Sequence, residues 1–168
     1  MDKRVFIING SGGVGKDTVC EAAAQFWHVQ NVSSITPILS VARAAGWDGS
    51  KTPAARRFLS DLKAACTAFN DLPFRYCVEQ WDAFQHSDAE VLFIHIREPD
   101  EIKRLRRVIG DCCKTILVRR PALEESRGPL GNRSDDEVAG YPYDGILVND
   151  GPLENLPDKV HHFLLTLW

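Results

Sequence analysis

Residues Gly10–Thr18 read Gly-Ser-Gly-Gly-Val-Gly-Lys-Asp-Thr, the pattern G-x-x-x-x-G-K, and they follow directly on the run Arg-Val-Phe-Ile-Ile-Asn at Arg4–Asn9. The run is continuously apolar through its middle, as in a strand buried on both faces of a parallel sheet. Glycines let successive backbone N–H groups turn inward without Cβ clashes, which makes a concave nest for an anion. After the nest, Lys16–Val29 carries Val19, Ala22, Ala23, Phe26 and Trp27 at helical spacing. The helix they predict would aim its N-terminal dipole and unpaired N–H groups at the same anion. A strand, a glycine loop and a helix in that order predict a nucleotide phosphate site. Ser11, Gly12, Gly13, Val14 and Gly15 would supply the cradle, and Lys16 the mobile charge that reaches the β and γ phosphates.

The rest of the chain alternates in the same way. A short strand is expected near Val32–Ile35, then three helices at Ile38–Ala45, Pro53–Phe69 and Phe74–Phe84, separated by Gly46, Gly49 and the turn Asp71–Pro73. Val91–Ile96 reads as a second buried strand, Pro99–Ile109 as a charged helix stopped by Gly110, and Thr115–Val118 as a third strand. Gly145–Val148 is a last strand, followed by a terminal helix over Leu153–Leu167. Such alternation predicts a three-layer α/β fold of the P-loop NTPase class, with a parallel sheet of about five strands. One domain is expected over residues 1–168, with its core at 1–35 and 88–168 and a helical insert at about 36–87. The stretch Pro121–Tyr143 is polar and rich in Gly, Pro and Arg, and predicts a lid at about 121–143 that packs little core.

Charge and cysteine usage narrow the function. A formal net charge of -3 argues against a binder of nucleic-acid polymers or of membrane surfaces. No apolar run is long enough to span a bilayer, and the apolar run at the N-terminus is too short for a signal peptide. Five cysteines without a CxxC pair predict reduced thiols in a cytoplasmic protein, and the five histidines show no zinc-ligand spacing.

Asp17 stands where a metal-binding hydroxyl follows the lysine in such loops, with Thr18 one place on. Its carboxylate would ligate Mg²⁺, hold a metal-bound water or orient an acceptor, or else it caps the first helical turn. Asp17 and Thr18 are thus the metal candidates. Phosphoryl transfer asks mainly for in-line positioning and positive charge, and arginines stand in three regions. Arg43, Arg56 and Arg57 lie on the middle helices, where an acceptor would dock. Arg97 lies at the C-terminal end of a strand, where open α/β sheets bind ligands. Arg119, Arg120, Arg127 and Arg133 flank the lid. Asp61, one turn after Arg57, either accepts a base or sugar hydrogen bond or forms a helix-surface ion pair.

Gly15–Thr18 (Gly-Lys-Asp-Thr), Val91–Arg107 (VLFIHIREPDEIKRLRR) and Tyr143–Leu156 (YDGILVNDGPLENL) together resemble phage-type deoxynucleoside monophosphate kinases and their relatives. The resemblance implies a sheet of nucleoside monophosphate kinase type, ATP and Mg²⁺ as co-substrates, and a closing lid. It implies that Asn149, Gly151 and Pro152 border the adenine, that Arg119 and Arg120 face the base or phosphates, and that Arg97 contacts the acceptor or the transferred phosphate. Lys16, Asp17, Arg97 and Arg119 are the catalytic candidates. His95 departs from the pattern, since relatives tend to carry Asp there, and this shifts metal binding toward Asp17 and Glu98. The activity expected is transfer of the ATP γ-phosphate to a phosphorylated small molecule, foremost a (deoxy)nucleoside monophosphate, by a monomer or homodimer. Kinases of dephospho-coenzyme A or phosphomevalonate, or a nucleotide-binding regulatory module, are the alternatives. A GTPase switch lacks its base-reading Asn/Thr-Lys-x-Asp motif.

Overall fold

A computed structural model describes residues 3–128 and 138–168. Five strands make one parallel sheet: β1 (Arg4–Asn9), β2 (Val29–Ser33), β3 (Val91–His95), β4 (Cys113–Arg119) and β5 (Gly145–Val148), in the order β2-β3-β1-β4-β5. β1 lies at the centre, with Ile7 opposite Ile94 on one side and Thr115 on the other. The strands are joined by helices α1 (Lys16–Ala23), α2 (Thr36–Ala44), α3 (Pro53–Asn70), α4 (Leu72–Gln85), α5 (Pro99–Ile109) and α6 (Pro121–Arg127), and α7 (Leu156–Leu167) closes the chain.

Because side chains alternate along a strand, β1 feeds two cores. Phe6 and Ile8 pack with Val19 and Ala23 of α1 and with Val160 and Leu164 of α7. Val5 and Ile7 pack on the other face with Cys77 and Phe84 of α4 and with Ile102 and Leu105 of α5. This double burial is why the central strands read as unbroken apolar runs. It also makes the α/β class with helices on both faces the observed one. With all strands parallel, Asn9, Ser33, His95, Arg119 and Val148 end on one edge of the sheet, where the glycine loop opens.

The first helix is shorter than its periodicity predicts. It stops at Ala23, and β2 begins already at Val29 to pair with Val91. Phe26 and Trp27 keep helical spacing but serve packing outside the helix. Phe26 stacks on His161 at 4.3 Å, and Trp27 lies 5.0 Å from His161 and 5.1 Å from Trp168. Of the middle helices, α4 packs on the sheet through Cys77 and Phe84, while α3 packs on α2 and α4 and buries none of its 18 residues. Thr52 starts α3 by accepting the Ala55 N–H at 3.2 Å, with Pro53 preset for the first turn. Asp71, at φ 57°, turns the chain into α4 and is gripped by Arg104, which also lies 3.9 Å over the Phe74 ring.

Composition alone suggests that 121–143 packs little core. Its described parts are more ordered than that. Pro121–Arg127 is helical, and Val138 and Tyr141 are buried. Residues 129–137, including Arg133, lie outside the described residues.

Candidate active site

The loop between β1 and α1 is shaped by contacts that only glycine permits. A Cβ on Gly15 (φ 92°) would lie 2.4 Å from the Asn149 side-chain nitrogen, and one on Gly10 would lie 2.6 Å from the Val118 carbonyl oxygen. Between them Val14 is fully buried and pins the middle of the loop to the core. Two asparagines brace it. The Asn9 carbonyl oxygen Oδ1 accepts the Gly10 N–H at 2.8 Å, while Asn9 Nδ2 donates to the Arg97 carbonyl and the Tyr143 hydroxyl. Asn149 Nδ2 donates to the Val14 carbonyl at 2.8 Å, and its own N–H donates to the Arg119 carbonyl.

Lys16 folds back into this frame. Its ammonium donates to the carbonyls of Gly10 at 2.6 Å and Ser11 at 3.1 Å. A phosphate entering the nest offers stronger, charged acceptors for the same ammonium. The opposite wall comes from β4 and α6. Arg119 Nε donates to both Glu124 oxygens, at 3.0 and 2.8 Å. Arg127 donates to the Ser11 hydroxyl at 2.6 Å and to the Gly12 carbonyl, and Ser11 Oγ donates to Glu124 at 3.3 Å. Two guanidiniums and one ammonium thus face the loop, with Glu124 as the carboxylate between them. The surplus of positive charge suits a polyphosphate.

Asp17 and His95 meet at the start of α1. The Asp17 carboxylate is 84% exposed and lies 3.7 Å from His95 Nε2, too far for a hydrogen bond. His95 Nε2 lies 2.8 Å from the Asn31 side-chain oxygen, which requires the proton on Nε2, and 3.7 Å from Cys20 Sγ. Burial holds the imidazole down to about 4, against the attraction of Asp17 and with help from Lys16 and Arg97. His95 is therefore a neutral N–H donor, whose protonated nitrogen has no lone pair for a metal. The exposed Asp17 oxygens and the adjacent Thr18 hydroxyl are hard donors beside the nest, and this donor set fits Mg²⁺. Glu98, the other carboxylate considered for the metal, is engaged by Lys63 at 2.5 Å.

The remaining predicted residues divide by element. Arg97 follows β3 and Arg120 caps α6, both exposed. Gly151 and Pro152 are exposed in the turn after β5, where Asp150 pairs with Lys159 at 2.5 Å. Asn149, expected at the adenine, has its amide committed to the loop itself. On the insert, the Arg43 guanidinium lies 5.3 Å over the Trp47 ring, and Arg56 Nε donates to the Lys51 carbonyl at 3.1 Å. Arg57 and Asp61 are exposed on α3. The structure thus gathers Ser11, Gly12, Lys16 and Arg119 into one constellation and pairs Arg43 and Arg56 with Trp47 and Lys51 of the α2–α3 loop. Sequence reasoning missed Asn9, Glu124 and Lys63. A polar side chain at the end of a buried strand was the available signal for Asn9. Pairings across more than thirty residues left no local trace of Lys63.

No protein-family model matches the chain, and no curated protein matches its sequence. Among solved structures it is similar to shikimate kinase from Aquifex aeolicus, at 12% identity over 96% of both chains with a TM-score of 0.59. It is similar to a putative kinase from Chloroflexus aurantiacus, at 12% identity over 99% of this chain and 98% of that one, with a TM-score of 0.54. Dephospho-CoA kinase from Campylobacter jejuni aligns at 13% identity over 98% and 97% of the two chains, with a TM-score of 0.52. What this likeness establishes is architecture: the chain has the parallel five-stranded P-loop α/β fold of these kinases.

Proposed function

We propose that the protein is an ATP-dependent phosphotransferase that moves the γ-phosphate onto a phosphorylated small molecule, foremost a (deoxy)nucleoside monophosphate. The observation that carries this reading is the glycine nest with Lys16 folded inside it and Arg119 and Arg127 at its rim. A loop that only binds phosphate needs the nest alone. Arginines converging on it from separate elements, here β4 and α6, are what a transferring phosphoryl group needs as its charge spreads.

In this reading the backbone N–H groups of 11–16 orient the triphosphate, and Lys16 exchanges the Gly10 and Ser11 carbonyls for phosphate oxygens. Asp17 and Thr18 would hold Mg²⁺, which neutralises phosphate charge when bound. Arg119 and Arg127 leave Glu124 and the loop for the phosphates as α6 closes. Arg97 would position the incoming acceptor phosphate, with Arg43, Arg56, Arg57 and Asp61 as its docking face. His95 stays neutral and donates through Nε2–H. It therefore orients polar neighbours without adding charge.

The test is ADP release from Mg-ATP across ribo- and deoxyribonucleoside monophosphates, dephospho-coenzyme A and phosphomevalonate, beside Lys16→Ala and Asp17→Asn. Turnover stimulated by one acceptor class and lost in Lys16→Ala supports the reading and names the substrate. A second reading, a nucleotide-binding regulatory module, draws on His95, which stands where relatives tend to carry a carboxylate. ATP binding without stimulation by any acceptor would favour it.

A further inference from the structure

An 18-residue helix with no buried residue gains from a tie to the core, and among the described residues Lys63 ties α3 to the start of α5. Lys63 Nζ lies 2.5 Å from Glu98 Oε1 and 3.9 Å from Glu101 Oε2. Glu98 is the cap of α5 and follows Arg97 directly, and Glu101 is in the first turn of the same helix. Two residues before Lys63, the same helix carries Asp61. The link therefore joins the two halves of the acceptor face described above.

The second oxygen of Glu98 is buried and receives no hydrogen bond from any N–H or hydroxyl among the described residues. A bare buried carboxylate oxygen is costly. The Glu101 carboxyl, only 13% exposed, lies on the same Lys63 ammonium as Glu98, and it donates a hydrogen bond only when protonated.

We propose that Glu98 and Glu101 share one proton beneath Lys63, and that this cluster positions α3 against the Arg97 turn. With the proton in place, ammonium, carboxylate and carboxyl sum to zero charge, and every oxygen of the Glu98 carboxylate has a donor. When the proton leaves to solvent, one excess negative charge is trapped under α3 and the Glu98–Glu101 bond is lost. Burial pushes Glu101 up to about 7, with Glu98 and Asp71 adding to the rise and Lys63 opposing it. Burial raises Glu98, but the bond and charge of Lys63 together with the hydrogen bonds of its own backbone and of Glu101 outweigh it and hold Glu98 below the usual carboxylate range. The groups facing the pair are Lys63 from α3, Asp71 from the α3–α4 turn, the Cys77 thiol of α4 and Arg104 of α5. Burial keeps that thiol neutral across the range in question. The α5 dipole also favours the anion and works with Lys63 against the shared proton.

The positioning role rests on the acceptor site proposed above, and the latch itself does not. The experiment is therefore run in two arms on the full chain. In the first, the Glu98 and Glu101 carboxyl carbons are titrated by NMR, and α3 amide exchange is followed through neutral pH in wild type and Glu101→Gln. We expect Glu101 to release its proton near neutrality and α3 protection to fall about tenfold in the wild type, a typical coupling size. Glu101→Gln, which keeps a donor and cannot ionise, holds its protection flat. In the second arm, acceptor KM rises over the same pH range while ATP affinity stays constant. Glu101 titrating in the ordinary glutamate range, or α3 protection flat in the wild type, overturns the proposal. KM flat while protection falls removes the positioning role. Protection following the proton without acceptor-stimulated turnover leaves the latch standing and sinks the kinase reading instead.

Discussion

Gly15 shows how one residue carries both the loop's shape and its chemistry. Its φ of 92° belongs to the region that side chains rarely adopt, and its missing Cβ is the space that the Asn149 amide fills. Gly15→Ala should therefore lower folding stability by about 1–3 kcal/mol through backbone strain, with the clash added to it. Nucleotide binding should weaken further, because the N–H groups of the nest lose their convergence. Adding Asn149→Ala removes the clash but not the strain, so the double variant should recover only part of the loss. Urea midpoints and titration with an ATP analogue check both statements; full recovery would show that strain at Gly15 is negligible. The glycines and Lys16 were legible in the sequence because a phosphate nest is local: nine consecutive residues contain it. Asn149 was legible only as part of a turn, since its bond to Val14 spans 135 residues. Its role as a brace needed the register of β5 beside β4. His95 was legible as a departure from the pattern, and its neutrality needed the burial that the fold supplies.

At the scale of elements, the strands and most helices follow from hydrophobic period, because double burial in a parallel sheet leaves little choice of residue type. Where the period misled, another contact took the apolar side chains. Phe26 and Trp27 continue the helical spacing of α1, yet α7 and Trp168 offer them an aromatic cluster outside that helix. Helix α6 was not legible for the opposite reason. Its seven residues bury nothing, so no apolar stripe marks it. What orders it is charge: Glu124 bridges Arg119 and Ser11, and Arg127 reaches the loop. Glu124→Gln weakens the charged bond to Arg119 and should speed amide exchange over 121–127 by about fivefold, the effect of roughly 1 kcal/mol for a partly exposed charged bond. Exchange in β4 should not change, because its strand bonds do not depend on that carboxylate. Equal acceleration in both would mean that the variant loosens the whole edge of the sheet. A second device lies at the sheet's other end. Asp144 accepts from the Thr115 N–H and hydroxyl at 2.7 and 2.9 Å and pairs with Arg106 at 2.9 Å. Asp144→Asn, which leaves that partly buried network short of an acceptor, should cost about 1–3 kcal/mol by urea unfolding. Leaving the urea midpoint unchanged would remove Asp144 from the fold's support.

Taken as a whole molecule, the chain sets two buried titrations against each other. His95 is held at about 4 in the folded state against an ordinary 6.5, chiefly by burial. Between those values the unfolded chain binds more protons, so His95 adds stability that is complete above 6.5 and is lost as pH falls toward 4. Glu101 is raised to about 7 from an ordinary 4.5, again chiefly by burial. Here the folded chain binds more protons, so its contribution is complete below 4.5 and is lost as pH rises to 7. Across the shared window from 4.5 to 6.5 the two slopes have opposite signs, each roughly 1 kcal/mol per pH unit at most. The ligand-free wild type should therefore show nearly level stability over that window. His95→Asn should leave the falling slope of Glu101, and Glu101→Gln the rising slope of His95. Below the ordinary carboxylate range all three proteins should lose stability together, because Asp144 is held low by Thr115 and Arg106 against its burial and must be protonated there. Urea unfolding at several pH values separates the cases. Three parallel curves across the window would mean that neither group is perturbed by burial. Opposite slopes in the two variants would show that the nest at one end of β3 and the α3 latch beyond it are balanced through one folding equilibrium.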